Sequence, residues 1–224
     1  LLKKMKGKMK KQLVLGVLFV FPLLVYLFFA SGKNNFAKLP TLTPNIQSLP
    51  INKDFSNRSV TLKDHISILG YWGGDLSDKK AEALNLNEKI FKRFNGFDDF
   101  QFVFFVNEEN EEEVQALKNA LQTGTGTDLS NWYFLPSSPK QIQSHFQSLK
   151  TPYQLNQQYS TPYVFIVDKN LNLRGRNDDE DMEELFGFDA RSVAEISKKM
   201  IDDVKVILAE YRLALKIYNS DRKK

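Results

Sequence analysis

Residues 62–94 read LKDHISILGYWGGDLSDKKAEALNLNEKIFKRF, and this run contains two patterns. Residues 62–72 are rich in β-branched and apolar side chains and end in a glycine and two aromatics, which predicts a buried strand. A turn follows, and Ser77 is placed to cap the helix after it. Apolar residues then recur at helical spacing, at Ala81, Leu84, Leu86, Ile90, Phe91 and Phe94. The chain is therefore organised around a strand, a glycine turn and a long helix.

The rest of the chain alternates strand and helix patterns, which indicates a βαβ architecture of the α/β class. Short apolar runs predict strands over 100–106, 131–135 and 163–167, and helical spacing predicts helices over 111–121, 139–149 and 189–216. Ser138 is placed to start the second of these helices. A turn at 168–172 is expected to lead into a short strand, and a small edge hairpin is expected around residues 55–62.

The segment 69–75, LGYWGGD, together with the helix to Phe94, resembles the Sco/SenC family. These are thioredoxin-like, membrane-anchored proteins that deliver copper to cytochrome oxidase. The family has a Gly-Tyr pair and then two cysteines, with three residues between them, at the start of the first long helix. Aligned without a gap, the cysteine positions fall on Gly74 and Asp78. The resemblance covers roughly residues 55–216 and implies a thioredoxin-like fold, with a central mixed sheet flanked by helices.

The chain has no cysteine, which excludes disulfides, thiolate metal sites, lipid attachment to cysteine and cysteine redox chemistry. The third copper ligand of the Sco family is a histidine just before the last long strand, where this sequence reads QYSTP over 158–162. The two histidines, His65 and His145, fall elsewhere, at the start of the first central strand and on a helix. We therefore predict no metal, no cofactor and no catalytic residue.

The degenerate active-site turn is still the candidate site, and its residues are Tyr71, Trp72, Gly74, Asp75 and Asp78. In the simpler interpretation the carboxylates cap the helix and the aromatics belong to the core or its rim. In the alternative, the same residues and Tyr159 form a cysteine-free metal site or a pocket for a small ligand. The resemblance also implies a cis Thr161–Pro162 bond facing the turn, whereas the common form at such a position is trans.

Residues 13–30, LVLGVLFVFPLLVYLFFA, carry no charge and follow six lysines within the first eleven residues. This segment predicts a single-pass transmembrane helix in contact with the lipid bilayer, with the basic segment 1–12 in the cytoplasm. The body of the protein then lies on the outer, periplasmic side of an inner membrane. A cleaved signal peptide is the alternative, but Phe28 stands where a small residue is expected. Beyond the anchor we predict an extended tether over 31–54, a domain over 55–218 and a polar tail over 219–224.

The net charge of +4 does not indicate nucleic-acid binding. Without the six N-terminal lysines, 25 basic residues stand against 27 acidic ones. A second cluster, NDDEDMEE at 177–184, lacks the ordered spacing and glycine of a calcium loop and is more typical of a solvated loop or a partner-facing patch. Residues 124–126, GTG, lack the lysine of a phosphate-binding loop.

Two functions remain open. In the first, the protein is a redox-inactive, Sco-like pseudo-enzyme that acts as a binding or scaffold component in cytochrome oxidase assembly or another envelope process. In the second, it is a metal carrier or a small-ligand-binding enzyme that uses a cysteine-free site at the turn. A pocket between the turn and Pro162 would favour the second function, and a filled turn would favour the first.

Overall fold

A computed structural model describes residues 2–31, 38–74 and 76–221, which divide into two compact units, 1–37 and 38–224. In the first unit, helix α1 spans Leu2–Ser31. Its segment Lys10–Phe29 has a mean hydropathy of 2.4 and is long enough to cross a membrane. The large apolar side chains between Leu13 and Phe29 are mostly exposed, an arrangement that suits a helix surrounded by lipid.

The second unit alternates strands and helices. Its strands are β1 (Thr41–Thr43), β2 (Ile66–Gly73), β3 (Phe100–Val106), β4 (Trp132–Pro136), β5 (Tyr163–Val167), β6 (Leu173–Arg174), β7 (Arg176–Asp179), β8 (Glu183–Leu185) and β9 (Phe188–Asp189). Helix α2 comprises Lys79–Leu86, a π-helical turn Asn87–Phe91 and a last turn Lys92–Phe94, and α3 and α4 span Glu111–Thr125 and Pro139–Ser148. Helix α5 comprises Val193–Glu195, a second π-helical turn Ile196–Met200, and Ile201–Asp221.

The central sheet is mixed, as predicted. Its strand order is β1-β6-β5-β2-β3-β4, and β9 also pairs with β5. Strands β2, β3 and β4 run parallel, whereas β5 is antiparallel to β2. Leu69 of β2 lies opposite Val103 on one side and Phe165 on the other. Strand β2 therefore lies in the middle of the sheet, between β5 and β3.

The two faces of the sheet carry separate apolar cores. One core packs α2, α3 and α5 against side chains that include Trp72 and Phe104. The other packs α4 and the segment before β2 against side chains that include Tyr71 and Phe105. Strands β2 and β3 are buried along their whole length because both of their faces are covered.

The predicted tether is shorter than residues 31–54. Residues 32–37 lie outside the described part of the chain, but residues 38–54 belong to the second unit. Leu39 and Ile46 are buried, and β1 pairs with β6. Although this segment is rich in Pro, Asn, Ser and Thr, its few apolar side chains bind it to the sheet edge. The domain therefore begins well before Phe55.

Three further local predictions are wrong. Helix α2 begins at Lys79 with Asp78 at its N-cap, so Ser77 is not the cap. Leu84 is 43% exposed, because only one side of α2 packs against the sheet. The edge hairpin around 55–62 reduces to an isolated bridge between Lys53 and Ser59. At the other end of the chain, α5 continues to Asp221 and so includes all of the described part of the predicted polar tail, residues 219–221.

Candidate functional site

Tyr71 and Trp72 leave the end of β2 on opposite faces of the sheet, because successive side chains of a strand alternate. Both are completely buried. Tyr71 stacks on Phe105 with ring centroids 5.0 Å apart, and Trp72 stacks on Phe104 at 3.9 Å. Neither ring lines a pocket at the turn, which agrees with the simpler interpretation that they are core residues.

Tyr71 has a polar partner inside its core. Its hydroxyl oxygen lies 2.7 Å from Nδ1 of His145, which projects from α4. Burial raises the pKa of Tyr71 well above its ordinary value. Burial also lowers the pKa of His145 to about 4, although the backbone of Gln47 partly opposes this effect. Both groups are therefore neutral near pH 7, and their contact is an internal hydrogen bond of the core rather than part of an open site.

On the side that faces the loop before β5, the turn is covered by backbone contacts. A cleft of about 460 Å³ lies on its other side, lined by Gly74, Leu76 and Ser77 together with α3. The amide of Gly74 donates to the carbonyl of Gln158 at 3.0 Å, and the carbonyl of Gly73 accepts from the amide of Asn107 at 2.9 Å. Gly73 has a φ of +57°, and a Cβ on it would lie only 1.9 Å from the Gln158 carbonyl oxygen. Asn110 donates from Nδ2 to the carbonyl of Gly74 at 3.3 Å. The loop before β5 and the loop after β3 thus cover the turn.

The remaining predicted site residues do not converge. Asp78 is exposed at the start of α2, and its side chain makes no capping hydrogen bond. Asp75 lies outside the described residues. Tyr159 packs against the core that contains Tyr71. Within the described residues of the predicted turn, the backbone of Tyr71 and of Gly74 meets the segment that precedes β5.

The predicted cis bond at Pro162 is wrong, since no peptide bond in the described residues is cis. The amide of Thr161 donates to the carbonyl of Tyr71 at 2.9 Å, and the carbonyl of Pro162 accepts from Ala190 at 2.9 Å. These two bonds hold the segment against the end of β2 with a trans peptide, the form that X-Pro bonds favour by about 0.5–1 kcal/mol.

Sequence reasoning missed the groups that surround the turn. Asn107 and Asn110 could have been predicted to lie near the turn. They follow β3, and the carboxyl ends of neighbouring parallel strands meet at one edge of a sheet. A second missed feature is a buried ion pair directly after Asp78: Nζ of Lys79 lies 2.8 Å from Oε1 of Glu82. Burial raises the pKa of Glu82, and the hydrogen bond from Lys79 offsets only part of this effect. The contact with Gln158 uses only backbone atoms and leaves no signal in the sequence.

The acidic run 177–184 forms the hairpin β7–β8, and protein cations neutralise part of it. Nζ of Lys199 lies 2.7 Å from both Oδ1 of Asp179 and Oδ2 of Asp181. Arg176 pairs with Asp203 at 2.8 Å. Within the described residues, no group of three or more His, Asp or Glu side chains is arranged to hold a metal ion.

Solved structures identify the fold. One of them is BsSco, a member of the Sco family of cytochrome c oxidase assembly proteins. It superposes over 76% of this chain and 98% of its own, with a TM-score of 0.53 at 14% identity. An SCO1/SenC family lipoprotein from Bacillus anthracis str. Ames covers 80% of this chain and 99% of its own, with a TM-score of 0.50 at 18% identity. The fold is thioredoxin-like. A candidate protein disulfide isomerase from Bacteroides thetaiotaomicron also matches, covering 77% of this chain and 95% of its own (TM-score 0.50, 13% identity).

No family model and no curated protein sequence matches the chain. The resemblance to Sco/SenC proteins is therefore confirmed at the level of the fold, since identities of 14% and 18% establish nothing finer. The sequence departs from the Sco pattern at Gly74 and Asp78, where the alignment places the two cysteines of that family.

Proposed function

We propose that this protein is a membrane-anchored, Sco-like binding or scaffold component without thiol chemistry, acting in the assembly of a respiratory oxidase or in another process of the cell envelope. The observation that supports this proposal is that the loop before β5 covers the turn on the side where the family's reactive groups are expected. The backbone of Gln158 occupies the space in front of Gly73 and accepts a hydrogen bond from the amide of Gly74, and the chain contains no cysteine. A thioredoxin-like domain of this kind offers surfaces for partners rather than a reactive group.

The proposed location follows from the first unit. The apolar segment of α1 would span the inner membrane, and the lysines before it would keep the N-terminus in the cytoplasm. The second unit, from residue 38 onward, would then lie on the outer side. Respiratory oxidases and their assembly proteins are partners accessible from that position, and the neighbouring fold of a Sco protein from cytochrome c oxidase assembly supports this choice.

The alternative function at the same turn receives less support. A cysteine-free metal site or ligand pocket needs Tyr71, Trp72 or Tyr159 to face a cavity with the carboxylates, whereas Tyr71 and Trp72 are buried in two separate cores. Copper binds best to thiolate, thioether or imidazole ligands, and the imidazole of His145 is buried beside Tyr71. If copper is handled in this process, a partner must supply the ligands.

The test is affinity purification of the full chain from membranes in a mild detergent, with mass spectrometry and metal analysis of one sample. A bait in which α1 precedes an unrelated soluble domain is the matched control. We expect oxidase or cytochrome subunits to be enriched over the control, without stoichiometric copper. Stoichiometric copper without such subunits would overturn the proposal and favour the alternative.

A further inference from the structure

A cleft of about 340 Å³ lies between residues 54–56, helix α3 and strand β4, away from the turn. Its apolar lining comes from Phe55, Val114 and Phe134. Val114 and Phe134 belong to the core on the Trp72 side of the sheet, and Phe55 packs against that core. The cleft is therefore a recess built on rigid elements, with a size typical of sites for small ligands.

Lys118 of α3 lines this cleft and is partly buried. Its ammonium makes no hydrogen bond or ion pair with any of the described residues. The nearby carboxylate of Asp54 is already engaged: its oxygens accept from the amides of Ser56 and Arg58 and from Nε of Arg58 at 2.8–2.9 Å. Burial lowers the pKa of Lys118, the charge of Arg58 lowers it further, and Asp54 opposes both effects. Asp54 is therefore a counter-charge that Lys118 shares with Arg58, and the N–H groups of the Lys118 ammonium remain without an acceptor among the described residues.

The other carboxylates of the cleft, Glu111 and Glu112, belong to the first turn of α3. Glu111 and Lys118 are seven residues apart, which is about two turns and about 10 Å along the helix. At that separation they do not pair, and the glutamates stay exposed where the helix dipole favours negative charge. The part of the cleft near Lys118 is therefore suited to an anion, and Val114 lies one turn before it on the same face of α3.

We propose that this cleft binds a small organic carboxylate with an apolar or aromatic body. The carboxylate accepts hydrogen bonds from the ammonium of Lys118, and the body lies on Phe55, Val114 and Phe134. A partly desolvated cation without a partner gains most from an anion, because charge-assisted hydrogen bonds are the strong ones in such surroundings. The site does not involve the turn and does not depend on any role in oxidase assembly.

The first test compares three probes of similar shape: benzoate, benzamide and benzylamine. Binding to the full chain in lipid nanodiscs is measured by equilibrium dialysis, with empty nanodiscs as the blank. We expect saturable binding of benzoate at one site, with benzamide about tenfold weaker, because the neutral amide loses the charge-assisted bond. Equal affinity for benzoate and benzamide, tighter binding of benzylamine, or no saturable binding of benzoate up to about 10 mM would each overturn the proposal.

The second test uses Lys118→Met, which keeps most of the aliphatic stem and removes the charge. Benzoate binding should weaken about tenfold, while benzamide binding stays unchanged. Lys140→Met makes the same exchange at an exposed position of α4 and should leave both affinities as they are. Lys118→Arg retains the charge and should retain benzoate binding. Undiminished benzoate binding to Lys118→Met would refute the assignment.

Discussion

The turn over residues 73–78 and the hairpin β7–β8 are the two places where the sequence offers a candidate site, and each is occupied by the protein's own groups in a different way. At the turn, the backbone of Gln158 lies against Gly73 and Gly74. In the hairpin, Lys199 binds two carboxylates of the acidic run. Close packing of backbone atoms covers one side of the turn, whereas ion pairs neutralise part of the hairpin.

This difference determines how each region responds to change. Contacts between neutral backbone atoms do not depend on protonation, but they leave no space for an added methyl group. Ion pairs tolerate changes of volume, but they depend on the charge of both partners. A substitution that adds volume should therefore affect the turn, and a change of charge or pH should affect the hairpin.

The largest effect is expected for Gly73→Ala. The new Cβ would lie 1.9 Å from a backbone oxygen, and the φ of +57° is unfavourable for alanine. Because both the strand end and the loop before β5 must move, we expect a loss of about 3 kcal/mol or more in the free energy of unfolding. Urea unfolding followed by tryptophan fluorescence measures this loss, since Trp72 and Trp132 are buried in the core.

Gly124→Ala is the matched control for that substitution. Gly124 lies in α3, has a helical conformation and has no atom within 4 Å of an added Cβ. Alanine should stabilise this helix by up to about 1 kcal/mol. A similar loss of stability in both variants would contradict the idea that shape alone closes the turn.

The next effect concerns Lys199→Met in the hairpin. Lys199 is 20% exposed at its side chain and Asp179 only 1%, so the substitution leaves a buried carboxylate without its main cation. We expect a loss of about 1–2 kcal/mol and faster hydrogen exchange in β7 and β8 than in β2. Lys205→Met removes an exposed ion pair with Asp202 and should cost less than about 0.5 kcal/mol. Equal costs in the two variants would count against the buried-charge argument.

The same pair predicts a pH dependence. Burial raises the pKa of Asp179, but hydrogen bonds from Lys199 and from the backbone outweigh burial, so its pKa lies below the ordinary value. The stabilisation is therefore complete above the ordinary carboxyl pKa of about 3.9 and disappears as the pH falls below it. The stability difference between the native protein and Lys199→Met should stay constant from about pH 7 to 5 and shrink below about pH 4. A difference that does not shrink at all as the pH falls from about 4 to about 2 would mean that Lys199 acts through packing.

The smallest effect is expected for Asp78→Ala at the turn. Asp78 is exposed and makes no capping hydrogen bond, so only its attraction to the helix dipole is lost. The cost should be below about 0.5 kcal/mol, and it should diminish in high salt. A loss comparable with that of Gly73→Ala would show that the carboxylate has a role that the described contacts do not contain.

The sequence predicts those elements whose signal is local. The bounds predicted for β3 and β5 match the structure, because unbroken apolar runs of that length are buried on both faces. The start of α4 is also predicted, since Ser138 and Gln141 form a capping box before it. The parallel pairing of β2 with β3 follows from the helix that connects them.

Other features depend on distant contacts and were missed. The tether prediction fails because Thr41–Thr43 gains its strand conformation only by pairing with β6. The prediction of a cis Thr161–Pro162 bond fails because it rested on the resemblance to a family. Nothing in Thr161 or its neighbours favoured the cis form. At the site, the missing thiols were evident in the sequence, but the filling of the turn by the backbone of Gln158 was not. The sequence gives only a weak indication that Lys118 lines a cleft, namely its position beside the apolar stripe of α3.

The two π-helical turns, Asn87–Phe91 and Ile196–Met200, contact each other on one face of the sheet. Each widens its helix by one residue and so resets the angular phase of the residues that follow. Deleting one residue from the first turn would restore a regular helix and leave the following segment near its present angular position, because the widened turn already holds one extra residue. A deletion in the regular part of the helix would rotate the following segment by about 100° and carry Phe94 away from the core. These two turns are therefore the positions in α2 and α5 where the loss of one residue is most easily absorbed, and they set the rotation of both helices on the sheet.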